Sequence, residues 1–178
     1  MADAGSTGIS SAHLERTLVL VKPDGVRRAL IGDIIRRLDA TGLKLIGSKL
    51  VQVDRPFAER HYTYEDIAVR HGEAIRNQLL EYITEGPVAA MVYEGIGAVA
   101  VVRKLCGSTE PAKSAPGTIR GDYCHQSYAL CNDAKVAVRN VIHASATPEE
   151  AATEVALWFP DRELVSYRRS DQNEHFLD

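Results

Sequence analysis

Apolar residues along the 178-residue chain fall into short runs that switch between strand-like and helix-like spacing. Arg16 to Lys22 (RTLVLVK) is an apolar, β-branched run that predicts a buried strand delivering Lys22 to its end, with a turn at Pro23-Asp24-Gly25. Ile31, Ile34, Ile35 and Leu38 follow helical spacing, and Gly42 supplies the stop. LKLIGSKLVQV predicts a second strand and Asp54 to Tyr62 a helix. GEAIRNQLLEYITEG predicts another helix with Ile75, Leu79, Tyr82 and Ile83 on one face. A third strand follows in PVAAMVYEG, then a helix in AVAVVRKLCG, a long Pro-, Gly-, Ser- and Thr-containing loop from Ser108 to Asp122, and a fourth strand in VRNVIHA. Thr147-Pro148-Glu149-Glu150 reads as a capped helix start that carries Ala151, Val155 and Trp158 toward the core.

Strands alternating with helices predict an α/β or α+β sandwich, and periodicity alone does not separate a doubly wound parallel sheet from a split-βαβ antiparallel one. The length favours one domain, and 45% hydrophobic residues fill one core. A net charge of -3 excludes a general nucleic-acid-binding surface, so any anion site is local. Cys106, Cys124 and Cys131 make neither an even disulfide framework nor paired metal-ligand spacing, which fits a reducing compartment. No apolar run has the length of a membrane span and the first residues lack a signal-peptide pattern, so the expectation is a cytoplasmic protein without membrane attachment. Residues 1–13 and the closing RRSDQNEHFLD are expected to be loose.

Among chemical motifs, a Walker A loop is absent. Gly95-Ile96-Gly97 followed by Ala100 has the context of a dinucleotide turn, but the chain offers no second nucleotide-binding half, and tight strand-to-helix packing is the favoured account of such glycines. Cys124, His125 and Cys131 lack the spacing and the fourth ligand of a zinc site. Lys22, Arg103 and Arg120 each lie beside an element end or a Gly/Pro-rich turn, where a phosphate chain can be clamped, and Thr109 can add a hydroxyl. His143, between a strand and a helix entrance, suits nucleophilic phosphoryl chemistry. Glu154 on the following helix can turn back to hold its ring, Ser145 can bridge the two, and Asn140 offers an amide to a sugar or phosphate.

TLVLVKPDGV, LIGDIIRRL, GLKLIGSKL, His61-Tyr62, EGPVAAMVYEG, PGTIRGD, RNVIHAS and EVALWF occur in that order from about residue 16 to 165, and in these segments the chain closely resembles nucleoside diphosphate kinases. The resemblance implies a ferredoxin-like sandwich with a four-stranded antiparallel sheet flanked by helices. It also implies transfer of the γ-phosphoryl group of a nucleoside triphosphate such as ATP to a nucleoside diphosphate, in two half-reactions through a phosphohistidine on His143. Carried over by position, Lys22, Tyr62, Arg103, Thr109, Arg120 and Asn140 match nucleotide-site residues, Ile75 takes the place of an aromatic that stacks on the base, and Glu154 and Ser145 match the pair that orients the histidine. Mg²⁺ is implied as a cofactor held mainly by nucleotide phosphates, with no protein metal ligands. The implied partners are nucleoside di- and triphosphates, with no specific nucleic acid and with broad base tolerance, and the implied assembly is a homo-oligomer, a hexamer or tetramer built from dimers. The domain is expected over 14–168, followed by a tail at 169–178. An insert near 123–138 is expected to border the site or a subunit contact, lending Tyr128 to the base.

Overall fold

In the computed structural model, which describes residues 13–176, β1 (Leu14–Val21) lies in the middle of a four-stranded sheet. It is followed by α1 (Pro23–Arg27), α2 (Ile31–Asp39), β2 (Lys44–Gln52) and α3 (Arg55–His61). A π-helical turn (Tyr64–Ala68) leads through α4 (Val69–His71) into α5 (Glu73–Thr84), β3 (Pro87–Ile96) and α6 (Ala98–Cys106). The second half contains α7 (Ile119–Tyr123), α8 (Tyr128–Ala134), β4 (Ile142–Ala144), α9 (Pro148–Trp158) and α10 (Gln172–Phe176). The strand order is β2-β3-β1-β4 and every pairing is antiparallel, so the doubly wound alternative falls and the ferredoxin-like sandwich stands. No helix among the described residues is long and apolar enough to cross a membrane.

Both faces of the sheet are covered, and β1 shows how the chain alternates between them. Val19 and Val21 join Ile34, Leu38, Met91 and Val102 in one core, while Leu18 and Leu20 join Leu80, Ile83, Val92, Val155 and Trp158 in the other. Successive side chains of a strand point to opposite faces, which is why a run of unbroken hydrophobicity encodes a strand buried on both sides. The same rule sets the site. His143 pairs with Leu20 across β1 and β4 and therefore faces the side on which α9 packs, while its neighbours Ile142 and Ala144 enter the opposite core.

Four expectations are corrected. The turn at Pro23 to Gly25 is the first turn of α1, with Pro23 at its start. The loop from Ser108 to Asp122 contains a short 3-10 turn at Pro111–Lys113 and the start of α7, which Thr118 caps by accepting from Gly121 N. The fourth strand is confined to three residues, because Val141 has φ 54° and Ile142 N donates to Asn140 O at 2.7 Å, a γ-turn that stops sheet pairing upstream. Finally, the closing RRSDQNEHFLD is tied down over its described residues 168–176, as is the stretch that leads into it, while 177 and 178 lie outside the described residues. Val165 N donates to Ile46 O at 2.8 Å, Lys44 Nζ reaches Tyr167 O, and Arg169 donates to Leu43 O at 2.8 Å. This covers the Lys44 end of the edge strand β2, and unprotected strand edges invite foreign pairing. Gly42, with φ 83°, accepts the passage of His175, whose ring lies 2.4 Å from where a Cβ would stand. Of the N-terminal segment expected to be loose, residues 1–12 lie outside the described residues.

Candidate active site

α9 is built as the sequence reading anticipates. Thr147 Oγ1 accepts from Glu150 N, Pro148 opens the helix, and Ala151, Glu154, Val155 and Trp158 are buried at one helical stripe. A cap of this kind is worth about 1 kcal/mol. Glu154 is the one acid in that stripe, and its carboxylate is used on both oxygens: Oε1 meets His143 Nε2 at 2.7 Å and Oε2 accepts from Ser145 Oγ at 2.5 Å. Ser145 Oγ in turn accepts from Leu18 N at 3.3 Å, which ties the pair to the central strand. Burial alone would push the Glu154 carboxyl up, but the His143 imidazole, His61 and the Ser145 hydroxyl outweigh it and hold the group down at about 2. An ionised Glu154 makes His143 Nε2 the protonated nitrogen, so Nδ1 keeps its lone pair. The half-buried ring lines a cavity of about 420 Å³.

The strained backbone before β4 has a visible consequence. A β-branched residue in the left-handed region costs about 1–3 kcal/mol. Here Val141 O accepts from Lys22 N at 2.8 Å, joining the end of β1 to the γ-turn, and Asn140 and His143 flank that junction. Lys22 Nζ donates to Asn140 Oδ1 at 2.9 Å, and Asn140 Nδ2 donates to Thr109 O at 3.0 Å, which links the end of β1, the γ-turn and the loop after α6. Tyr82, whose hydroxyl donates to Asp24 Oδ1 at 2.5 Å, lies under Lys22 with its ring centroid 5.1 Å from Nζ.

Lys22, Tyr62, Ile75, Arg103, Thr109, Arg120, Asn140 and His143 all line this one cavity, and Ser145 and Glu154 stand behind the histidine. Arg120 is buried and donates to Gly107 O at 2.9 Å and Ile142 O at 2.7 Å. Burial, followed by the charge of Arg120, lowers Lys22 to about 7. Cations forced together in this way favour an anion between them. The rest of the lining is more apolar, with Ile67, Ile75, Leu79, Val136 and Ala137, and Ile75 and Leu79 are the half-buried upper part of the helical face expected for α5.

His61 was legible only as half of the His-Tyr pair and is absent from the expected site, yet its ring meets that of His143 edge-on at 4.8 Å. Trp158 Nε1 donates to His61 Nδ1 at 3.3 Å. Burial, reinforced by His143, lowers His61 to about 3, so it stays uncharged beside the His143 ring. His61, His143 and Glu154 bring ligand-type atoms within 4.8 Å of one another. A cation there would have to displace the His143 and Ser145 bonds to Glu154 and the Trp158 bond to His61, so the cluster serves as a hydrogen-bonded support. The glycine string belongs to packing. Leu14 and Glu15 pair with Ile96 and Gly95 at the opposite end of β1 from His143, and a Cβ on Gly95 would lie 2.5 Å from Leu43 Cδ2.

The depressed Glu154 carboxyl makes stability depend on acid. Between its ordinary value of 4.5 and its folded value of about 2 the unfolded chain binds more protons, so the contribution of Glu154 is complete above the first and disappears as pH falls toward the second. The full effect is on the order of 3 kcal/mol. Denaturant melts at pH 5 and pH 3 will show a larger loss for the parent protein than for Glu154→Gln; equal losses would contradict the assignment.

The family model described as nucleoside diphosphate kinase matches residues 15–164. A nucleoside diphosphate kinase of Borreliella burgdorferi is 47% identical over 163 residues, 92% of this chain and 98% of that protein. One of Sulfurisphaera tokodaii is 49% identical over 153 residues, 86% of this chain and 94% of its own. Among solved structures, a transition-state mimic of the Borrelia burgdorferi enzyme with bound vanadate and ADP superposes with a TM-score of 0.92 at 47% identity, covering 93% of this chain and 99% of that one. The Halobacterium salinarum enzyme in complex with CDP gives 0.78 at 42% identity, covering 91% and 98%.

Proposed function

The chain belongs to the nucleoside diphosphate kinase family, and from that premise we propose that it transfers the γ-phosphoryl group of ATP to nucleoside diphosphates through a phosphohistidine on His143. The observation that carries the reading is the placement of His143: Nε2 is held by Glu154, and the ring lines a cavity shared with Lys22, Arg103 and Arg120. In the first half-reaction the Nδ1 lone pair attacks the γ-phosphorus, the bond to the β–γ bridging oxygen breaks, and the diphosphate leaves with the electron pair. The positive charge that develops on the ring is met by Glu154 through Nε2–H. In the second, a terminal oxygen of another diphosphate displaces the imidazole. Such transfer needs in-line placement and neutralised oxygens more than covalent help.

Lys22, Arg103, Arg120, Thr109 and Asn140 serve the phosphates and sugar in this reading, and Tyr62 and Ile75 flank the nucleoside. Among the cavity residues Glu150 is the one carboxylate beside three cations, a donor set that suits Mg²⁺ arriving on the nucleotide's phosphates better than a resident ion. Arriving with the nucleotide, Mg²⁺ would neutralise part of the phosphates' charge. We take residues 14–168 as the kinase domain, in the cytoplasm with its nucleotide substrates. A homo-oligomer of dimers, tetrameric or hexameric, is supported by the edge strand β2, where the Ser48 to Gln52 end carries Leu50 with 62% exposure.

The test is incubation with ATP and Mg²⁺ without acceptor, followed by intact mass measurement. A gain of one phosphoryl group, discharged by added ADP, is expected; no adduct would remove the proposal. Lys22 adds a second expectation. An ammonium lowered to about 7 by burial is largely neutral at pH 8, and a diphosphate beside it raises it again. Calorimetry of ADP binding at pH 8 in buffers of different ionisation heat will report uptake of close to one proton. Buffer-independent heats would refute the coupling.

A further inference from the structure

The segment that leads into β4 is tied down along its length. Ser127 Oγ caps α8 by accepting from Leu130 N at 3.3 Å, and Gln126 Oε1 accepts from Arg139 N at 2.8 Å. Arg139 holds Glu85 at 2.5 Å, and Val136 N donates to Cys131 O at 3.0 Å after a left-handed Lys135. α8 is therefore a fixed wall of the cavity. Its first residue, Tyr128, has its backbone N donating to the buried Glu110 Oε1 at 3.0 Å. Its ring, 41% exposed, lines the cavity with Lys22, Thr109 and Arg120. Glu110, on which the Tyr128 backbone is anchored, adjoins Thr109, whose carbonyl accepts from Asn140 Nδ2, the partner of Lys22, so Tyr128 stands at the cationic end of the cavity. Burial, followed by Glu110, pushes the phenol up, so it remains an O–H donor at neutral pH.

We propose that Tyr128 is a phosphate-binding residue, its hydroxyl donating beside Thr109 to a non-bridging oxygen of the nucleotide's diphosphate. This rests on the nucleotide reading of the cavity and departs from the expectation that Tyr128 serves the base. A neutral donor adds hold without another positive charge next to Lys22, whose protonation is already weakened by burial and Arg120. A phosphate contact also differs from a base contact in a measurable way, because it is the same for every base.

Tyr128→Phe removes the hydroxyl and keeps the ring; Tyr128→Ala removes both. With ATP as donor and ADP, GDP, CDP and UDP as acceptors, Tyr128→Phe should raise KM roughly three- to ten-fold, by one common factor for all four, with the larger change in KM rather than kcat. ADP affinity by calorimetry reads the same contact without turnover, so a failure of phosphotransfer in the parent protein is separable from a failure here. A silent Phe variant overturns the proposal, whether the Ala variant is silent too or shows losses that differ from base to base. Circular dichroism of both variants checks that the exposed position leaves the fold intact.

Discussion

A His143→Gln variant will fold and bind ADP but carry no phosphoryl group after incubation with ATP, and its transfer rate will fall on the order of 10⁴-fold or more, the scale reached when a nucleophile is deleted from a covalent route. Glutamine is close in length to histidine, and its amide can donate to Glu154, so the Ser145–Glu154 pair keeps a partner and the buried carboxylate is not stranded. What it lacks is a nitrogen lone pair able to attack phosphorus. The effect therefore separates chemistry from folding, which an alanine at the same position would not. Two other histidines define the rival outcomes. His71 lines the cavity but is exposed at the end of α4, and His61 is buried against the His143 ring with its Nδ1 engaged by Trp158. Residual phosphorylation of the variant, or a rate within about ten-fold of the parent, would move the nucleophile to one of them.

Why so much of this site could be read from the chain follows from where its residues lie. Lys22 and His143 sit at or just past the ends of apolar runs, and Glu154 shares a helical stripe with Ala151, Val155 and Trp158; both patterns are local. The strands β1 and β3, buried on both faces, and the amphipathic α2 were legible for the same reason. Val141 was not. Its side chain favours extended backbone, and only the tertiary bond from Lys22 N to Val141 O and the γ-turn at Asn140 reveal the left-handed conformation that shortens β4. The structural part of His61 depends on Trp158, far along the chain, and no spacing rule links the two. The C-terminal cover of β2 rests on Val165, Tyr167 and Arg169 bonding backbone groups, and such contacts leave no periodic trace. α8 had its Ser127 cap in plain view but, at seven residues, is too short to show a helical period.

The second large effect belongs to Arg120, and it should appear in stability and in rate at once. Two of its nitrogens hold the carbonyls of Gly107, at the end of α6, and Ile142, the first residue of β4, so one guanidinium fixes the helix that carries Arg103 to the strand that carries His143. Alanine at 120 leaves both acceptors unpaired, a loss of roughly 2–4 kcal/mol. In the proposed reaction it also removes a charge that faces the transferred group, for which a rate loss of about 10²–10³-fold is ordinary when one preorganised donor is deleted. Arg120→Lys separates the two contributions. Lysine restores the charge but not the fork, since an ammonium on a flexible stem does not reproduce a planar group spanning two carbonyls. Thermal melts and kcat/KM of the two variants decide between the roles. If the charge alone mattered, lysine would recover most of the rate; if Arg120 acts by holding Gly107 and Ile142 in place, both variants remain slow and both melt earlier than the parent. We expect the second result, because burial leaves Arg120 little freedom to leave its carbonyls for the substrate: the nucleotide must come to a guanidinium already fixed by the fold.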